Sequence, residues 1–405
     1  MLLHILFFML HAIPPIITPL YASDIKDVFK DYKILSQAFS YKIKNYFNVK
    51  HCFLFSSGRA ALTTILSALK TINNSRNKVI IPAFTCYSVA ASVIKAGLSI
   101  RLCDIDRNSL DFDYNMLFEI LSKEGSEILA IIPVHLFGLR SNIELIKEYI
   151  CNYPEIYIIE DAAQCMGLKV KGKLLGTSGD VGIFSLGRGK SISSIGGGVV
   201  ITNNDKISFH MKSLLKEIPY QKPIKNACYF FYGLLLLIFS RPFLYWFPSS
   251  IPFLKIGETI YDPCFKVERI SSCQITFALS WQEKLRIVRK KRLLLTRFWS
   301  SFFKNKPFYS FVSPGEMIEL IRFPLRIDNL KIRNLILKEA KDKGLGIEKS
   351  YPDSIDNIKE LRHLFDKRNF ADAKYIAQHL ITLPVHSFVS EKDIKAICEI
   401  FCKFS

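Results

Sequence analysis

From about residue 24 onward, short apolar runs alternate with stretches whose apolar residues recur at helical spacing. That alternation is the pattern of a doubly wound α/β domain. His51–Phe55 reads as a strand, and Ala60–Lys70 as a helix with Leu62, Ile65, Leu66 and Leu69 on one stripe. A strand at Val79–Ile81 stops at Pro82, a helix follows over Thr85–Ala96, and Leu98–Cys103 is the next strand. Leu129–Val134 reads as a strand before a helix at 142–149. Ile156–Ile159 is continuously apolar, as a parallel strand buried on both faces reads, and it stops at Glu160 and Asp161. Val181–Phe184 leads to Ser185 and Lys190, and 198–202 is one more strand.

Beyond this the pattern changes. A helix at 205–222 leads out of the domain, and an aromatic, proline-containing insert occupies 223–262. A long basic helix, Ser272–Arg297, opens a region with strands near Glu319–Leu325 and Leu380–Thr382 and a last helix over Glu391–Phe404. The expected architecture is a large α/β/α domain at 1–222 with a mostly parallel sheet, an insert at 223–262, and a smaller C-terminal α/β domain at 263–405.

Two segments raise a membrane question. Residues 1–23 hold no Lys, Arg, Asp or Glu. Tyr21-Ala22-Ser23 would be a weak cleavage site, but the basic region of a signal peptide is missing and three prolines follow the apolar run, so a cytoplasmic protein is expected. Within Ala227–Phe247, the uncharged run ends at Ser240, too short for the roughly 20 residues a bilayer requires. A helical hairpin facing a partner subunit or lying peripherally on the inner face of the membrane fits this segment, and so does a buried insert.

Composition adds less. The chain has 405 residues, 49% of them hydrophobic, and a net charge of +19, a field that attracts anions of any kind. The basic cluster Arg286–Arg297 reads as a solvated helix face; it lacks the interleaved aromatics of a single-strand binder, so no nucleic-acid partner is expected. The ten cysteines include no CxxC pair and no zinc spacing, which points to reduced thiols and no metal.

The candidate chemistry lies at strand ends. Ser56-Ser57-Gly58-Arg59 joins a strand to a helix, where free N–H groups and the helix dipole favour an anion; Ser57 can cap, Gly58 allows close approach, and Arg59 adds a charge-assisted bond. Asp161 and Lys190 follow two adjacent strands. An acid and a lysine placed so suit pyridoxal 5'-phosphate (PLP): the lysine forms a Schiff base, and the acid keeps the pyridine nitrogen protonated so that the ring acts as an electron sink. Glycines around Gly187-Arg188-Gly189-Lys190 let backbone pass close to a ligand.

These pieces, in order, resemble the DegT/DnrJ/StrS family of PLP-dependent sugar aminotransferases: SSGRAAL (56–62), VIIPAFTCYSVAASVIKAG (79–97), LCDID (102–106), IIPVHLFG (131–138), IEDAAQCMG (159–167), GTSGDVGIFSLGRGKSISSIGGGVVITNN (176–204) and LITLPVH (380–386). The resemblance implies fold type I, a homodimer with shared active sites, and transfer of an amino group, with glutamate the expected donor, to a keto-sugar, expected to be nucleotide-linked, for polysaccharide or glycoside synthesis. It implies that Lys190 carries the cofactor and moves the proton, that Asp161 partners the pyridine nitrogen, that Gln164 contacts the ring's phenolic oxygen, and that Gly58, Arg59 and Ser185 hold the phosphate, with Ser57, Cys86 and Tyr87 as further cofactor-binding candidates. Sister dehydratases carry histidine where Lys190 stands, so retention of the lysine favours transamination. His135, Arg188 and Arg269 are candidates for the substrate side, although His135 reads more readily as a structural histidine bonded to backbone. Three departures stand out: the ring-stacking aromatic of relatives falls on Cys86, with Tyr87 beside it; the partner-reaching asparagine is Val267; and the insert is longer and more apolar than relatives need. Two rivals remain, a PLP enzyme acting on amino acids alone and a membrane-associated binding protein of the same fold with weak or no activity.

Overall fold

A computed structural model describes residues 11–249, 251, 259–365 and 369–404. Seven strands form the main sheet: β1 (His51–Phe55), β2 (Lys78–Pro82), β3 (Ser99–Cys103), β4 (Ile128–Ile131), β5 (Tyr157–Asp161), β8 (Val181–Ser185) and β9 (Gly198–Thr202), with a two-stranded hairpin, β6 (Lys169–Val170) and β7 (Lys173–Leu174), lying outside it. The order is β1-β9-β8-β5-β4-β2-β3. Every pairing from β8 to β3 is parallel, whereas β9 runs antiparallel to both β8 and β1. The other six strands therefore point the same way, and their carboxyl ends form one rim. In an open α/β sheet that rim is where ligands bind.

The helices between these strands are α1 (Tyr32–Phe47), α2 (Gly58–Ile72), α3 (Tyr87–Lys95), α4 (Tyr114–Glu124), α5 (Ile143–Tyr149) and α6 (Asp205–Glu217). Asp31, Ser57, Asp113, Asn142 and Asn204 each accept backbone N–H bonds at a helix start, and a cap of this kind contributes about 1 kcal/mol. Leu62, Ile65, Leu66 and Leu69 of α2 are all buried, as their spacing predicts. The strand expected over Leu129–Val134 ends earlier, at Ile131, because Pro133 has no N–H to pair. The Pro133 carbonyl and His135 N–H nevertheless grip Asp161 N (2.8 Å) and Asp161 O (3.1 Å), which fixes the end of β5.

The insert folds as α7 (Pro223–Phe239) and α8 (Pro242–Ser249). Its root is tied by polar bonds, from Asn226 to Ser272 (2.7 Å) and from Lys225 to Glu268. Gly233 packs on the Phe277 ring so closely that an added Cβ would lie 2.3 Å from it. Phe231, Leu235, Ile238 and Phe243 are more than half exposed. No helix among the described residues is long and apolar enough to cross a membrane.

The expected long basic helix is two, α9 (Ser272–Ala278) and α10 (Trp281–Phe302), broken at Leu279-Ser280. The 3.6-residue periodicity continues through the break, which is why the sequence pattern did not reveal it. A second sheet, wholly antiparallel in the order β10-β11-β13-β12, joins β10 (Tyr309–Ser310), β11 (Arg322–Arg326), β12 (Glu348–Lys349) and β13 (Leu380–Pro384). It packs with α10, α11 (Leu330–Asp342) and α13 (Glu391–Cys402) around Trp299, Phe303, Phe323 and Phe401. The start of α12 (Ala371–His379) has no cap of its own; Asp104, just after β3, accepts from Asp372 N (3.1 Å) and Ala373 N (2.9 Å) and does that work across the two sheets' territories.

The N-terminal segment does not lie on the main sheet. Ile13 N–H donates to Gly344 O (2.9 Å), His386 Nε2 donates to Pro14 O (2.7 Å), and Ile13 is part of the C-terminal core. Gly344 and Gly346, at φ +62° and +65°, make room for it, since a Cβ on Gly344 would meet His11 O at 2.4 Å. Residues 12–20 are a strap that runs from the C-terminal sheet to the loop bearing Lys190.

Candidate active site

A cleft of about 150 Å³ opens on the rim, lined by Ser57, Gly58 and Arg59 after β1, Thr85 and Cys86 after β2, Asp161 and Gln164 after β5, and Ser185 and Lys190 after β8. Four separate strand ends thus bring together eight of the residues expected from the sequence. The Ser57 hydroxyl accepts Ala60 N–H at 3.1 Å and starts α2, whose remaining first-turn N–H groups face an anion's requirements. A Cβ on Gly58 would press on Ser185 Cβ at 3.1 Å, so glycine keeps this wall open.

Asp161 is 6% exposed, and Oδ1 accepts Ala163 N–H at 3.0 Å. Burial pushes its carboxyl up, opposed by the Ala163 bond and by the Lys190 charge nearby. A buried carboxylate with a single neutral donor is poised for a cationic N–H partner. Lys190 Nζ has neither a hydrogen bond nor an ion pair among the described residues.

Beneath Asp161 sits a fully packed support. Glu160 accepts from His135 Nε2 (2.8 Å), from Gly176 N–H (3.0 Å), and from the N–H groups of Ser178 and Gly179. Burial raises the Glu160 carboxyl, but these donors outweigh it and hold the group below the usual range. Ser141 N–H donates to His135 Nδ1 at 3.1 Å, so the proton of a neutral His135 is on Nε2. His135 is 0% exposed and absent from the cleft lining, so the structure places it beneath Asp161 rather than in the cleft.

Gln164 is spent on protein contacts as well as lining the cleft. Its Oε1 accepts Phe137 N–H (3.0 Å), and its Nε2 donates to Tyr351 Oη (2.9 Å). Phe137 sits at φ +59°, a strained position for a bulky residue, and its carbonyl accepts Ile321 N–H (2.9 Å), which links this turn to the C-terminal region.

Four expected site residues are placed elsewhere in the chain. Tyr87 exchanges hydrogen bonds with the Asp353 backbone (3.0 and 3.2 Å) rather than lining the cleft. His135 is the second. Arg188, two residues before Lys190, lies on the far side of the loop in a different cavity. Arg269 stacks on Tyr220 at 4.3 Å and donates to Ile218 O (3.1 Å), so it serves the exit from α6. Arg59 does line the cleft, but its Nη1 pairs with Asp262 at 2.9 Å.

Of the lining residues that sequence reasoning missed, Thr85 and Tyr351 bear on the chemistry. Thr85 is wholly buried with its hydroxyl unpartnered among the described residues, an orphan that a ligand oxygen would satisfy. Nothing in PAFTCYS separates Thr85 from an ordinary turn threonine. Tyr351 comes from 190 residues away in the C-terminal region; the SYPDSI stretch that carries it has no periodicity to flag it.

The residues fit a flat ring with a phosphate arm: donors and small residues at the start of α2, a buried acid, a free amine, and an orphan hydroxyl. The fold is that of the fold-type I PLP-dependent transferases. Residues 27–224 match the model of the DegT/DnrJ/EryC1/StrS aminotransferase family. A GDP-perosamine synthase of Vibrio cholerae is 31% identical over 169 residues, 42% of this chain and 44% of the relative, so the matched segment spans less than half of that enzyme. Among solved structures, the Helicobacter pylori aminotransferase PseC, involved in pseudaminic acid biosynthesis, superposes with a TM-score of 0.77 at 18% identity, covering 97% of this chain and 99% of its own. A putative sugar aminotransferase, Spr1654 of Streptococcus pneumoniae in its PMP form, gives a TM-score of 0.76 at 18% identity over 97% of this chain and 98% of its own.

Proposed function

We propose that the chain is a PLP-dependent aminotransferase that carries an amino group from an amino acid, glutamate by preference, to a nucleotide-linked keto-sugar. One observation carries this reading: an unpaired Lys190 and a buried, under-satisfied Asp161 line the same cleft as the start of α2. When bound, PLP supplies an electron sink that stabilises negative charge on the substrate carbon. Lys190 would tether the cofactor and then hold and return the proton at that carbon through Nζ. Asp161, its backbone fixed by Pro133 and His135, would hold the pyridine N–H and keep it protonated. Ser57, Gly58, Ser185 and the N-terminus of α2 would receive the phosphate, with Thr85 as an added donor. Gln164 would orient the ring's phenolic oxygen, braced by Tyr351. The surplus of positive charge favours a substrate bearing a pyrophosphate. The small cleft of a single chain supports a homodimer in which a second subunit completes the substrate side.

The test is an absorbance spectrum of the purified protein with PLP, before and after glutamate. A visible band that glutamate converts, and that a 4-keto nucleotide sugar restores while free keto acids restore it poorly, supports the reading. Equal use of free keto acids would favour an amino-acid enzyme. No band at saturating PLP would sink the assignment and leave a binding protein of the same fold.

A further inference from the structure

A second cavity, of about 490 Å³, lies apart from the cleft. It lies on the other side of the loop that carries Lys190, and the two share no lining residue. Its walls are the strap (Ile16, Ile17, Leu20), the hairpin α7–α8 (Leu235, Leu236, Phe239), and the loop itself through Arg188, Ser193 and Ser194. The strap wall is firmly built: Thr18 Oγ1 lies 3.0 Å from Lys190 O and 2.9 Å from Ser191 O, and the buried Arg292 donates to it at 3.0 Å. The volume is within the range of small-molecule sites.

The charge distribution selects the occupant. Arg188 is the one charged side chain in the lining, no acid faces it there, and it has no hydrogen bond or ion pair among the described residues. Behind the lining, Arg322 Nε and Nη2 are buried without a hydrogen-bond partner among the described residues, although Arg322 itself does not line the cavity. Both guanidiniums act on the phenol of Tyr245, a lining residue, and oppose the upward push of burial and of Glu348 on it. An apolar chamber with one unpaired cationic group, Arg188, in its wall matches a molecule with an apolar chain and an anionic head. A free anion would leave the apolar walls wet, and a neutral hydrocarbon would leave Arg188 unused.

We propose that this cavity binds the hydrocarbon chain of a single-chain lipid phosphate, with the phosphate paired to Arg188. The site is independent of the cofactor reading, because no residue of the cleft belongs to it. It gives the insert a purpose: Leu235 and Phe239 furnish the wall for the chain, and the exposed Phe231, Ile238 and Phe243 continue an apolar surface outward from it.

The test uses the full-length protein and titrates it with alkyl phosphates by calorimetry below their micellar concentrations. Saturable binding with one molecule per chain is expected for dodecyl phosphate. Shortening to decyl phosphate should weaken it by about tenfold, following the loss of two buried methylenes. Inorganic phosphate should not compete, and dodecyl maltoside should bind at least tenfold more weakly. Leu235→Trp, which narrows the cavity, should weaken binding at least tenfold while leaving thermal stability and PLP absorbance intact. Arg188→Gln should weaken dodecyl phosphate and leave the maltoside unchanged. Binding that ignores chain length, equal affinity for the neutral head, or full binding by Leu235→Trp would each overturn the proposal. So would an absence of binding because a second copy of the chain covers the hairpin, which sedimentation would reveal.

Discussion

The loop from Gly187 to Ser194 has two unlike sides. Behind the cleft side lies a polar network: Glu160 alone takes four donors. The strap side is apolar, wider, and carries one unpaired guanidinium, that of Arg188. Polar networks fix positions because each unmade bond is costly, whereas apolar walls fix only volume. One loop therefore presents a geometrically rigid face for chemistry and a tolerant face for shape.

The strongest way to sharpen this contrast is Lys190→Ala. It should lose the cofactor's covalent absorbance and lower turnover by about 10³-fold or more, while the urea midpoint hardly moves. A variant keeping the band and the rate would erase the distinction. Next is Glu160→Gln, which removes the charge that four donors address and should cost about 3 kcal/mol in denaturant unfolding; a loss below about 1 kcal/mol would mean the support is not rigid. On the strap side, burial lowers His386 from 6.5 to about 4. The folded state then binds fewer protons than the unfolded chain between those values, so stability should fall as pH drops from 6.5 towards 4, by of order 3 kcal/mol. His386→Gln should flatten that slope, and an unchanged slope would reject the buried neutral imidazole. Ser57→Ala should cost about 1 kcal/mol and weaken PLP retention measured by dialysis. The smallest effect is expected from Ile238→Ser on the exposed hairpin face, within about 0.5 kcal/mol by thermal denaturation.

Much of the main sheet was legible because its strands are continuous apolar runs ended by chemistry-bearing residues. Tyr157–Asp161 and Val181–Ser185 show this directly, and they brought Asp161, Ser185 and Lys190 to one rim. The helices at Tyr32–Phe47, Tyr114–Glu124 and Leu330–Asp342 went unread because their apolar stripes are diluted by polar and charged residues. The antiparallel entry of β9 left no trace, since a strand buried on both faces reads alike in either direction. Within the site, motif order found the residues but not their occupation. Arg59 matches a phosphate position, yet pairs with Asp262 from the end of the insert. Arg188 neighbours Lys190 in sequence, but the loop turns it to the opposite side. Tyr351 depends on a contact across the whole chain that no local pattern encodes.

The antiparallel position of β9 also bears on how the polypeptide is made. Of the sheet's strands β1 leaves the ribosome first, yet β9, its ladder partner among the described residues, is translated roughly 150 residues later. Until then the first strand waits with unpaired edges, and the sheet closes last at the end that carries Ser57 and Gly58. A nascent chain stalled before Gly198 would hold the acid of the cleft but could not yet assemble its anion cradle, so a helper that shields exposed strand edges during synthesis would raise the yield of this protein more than that of one whose first strand pairs at once.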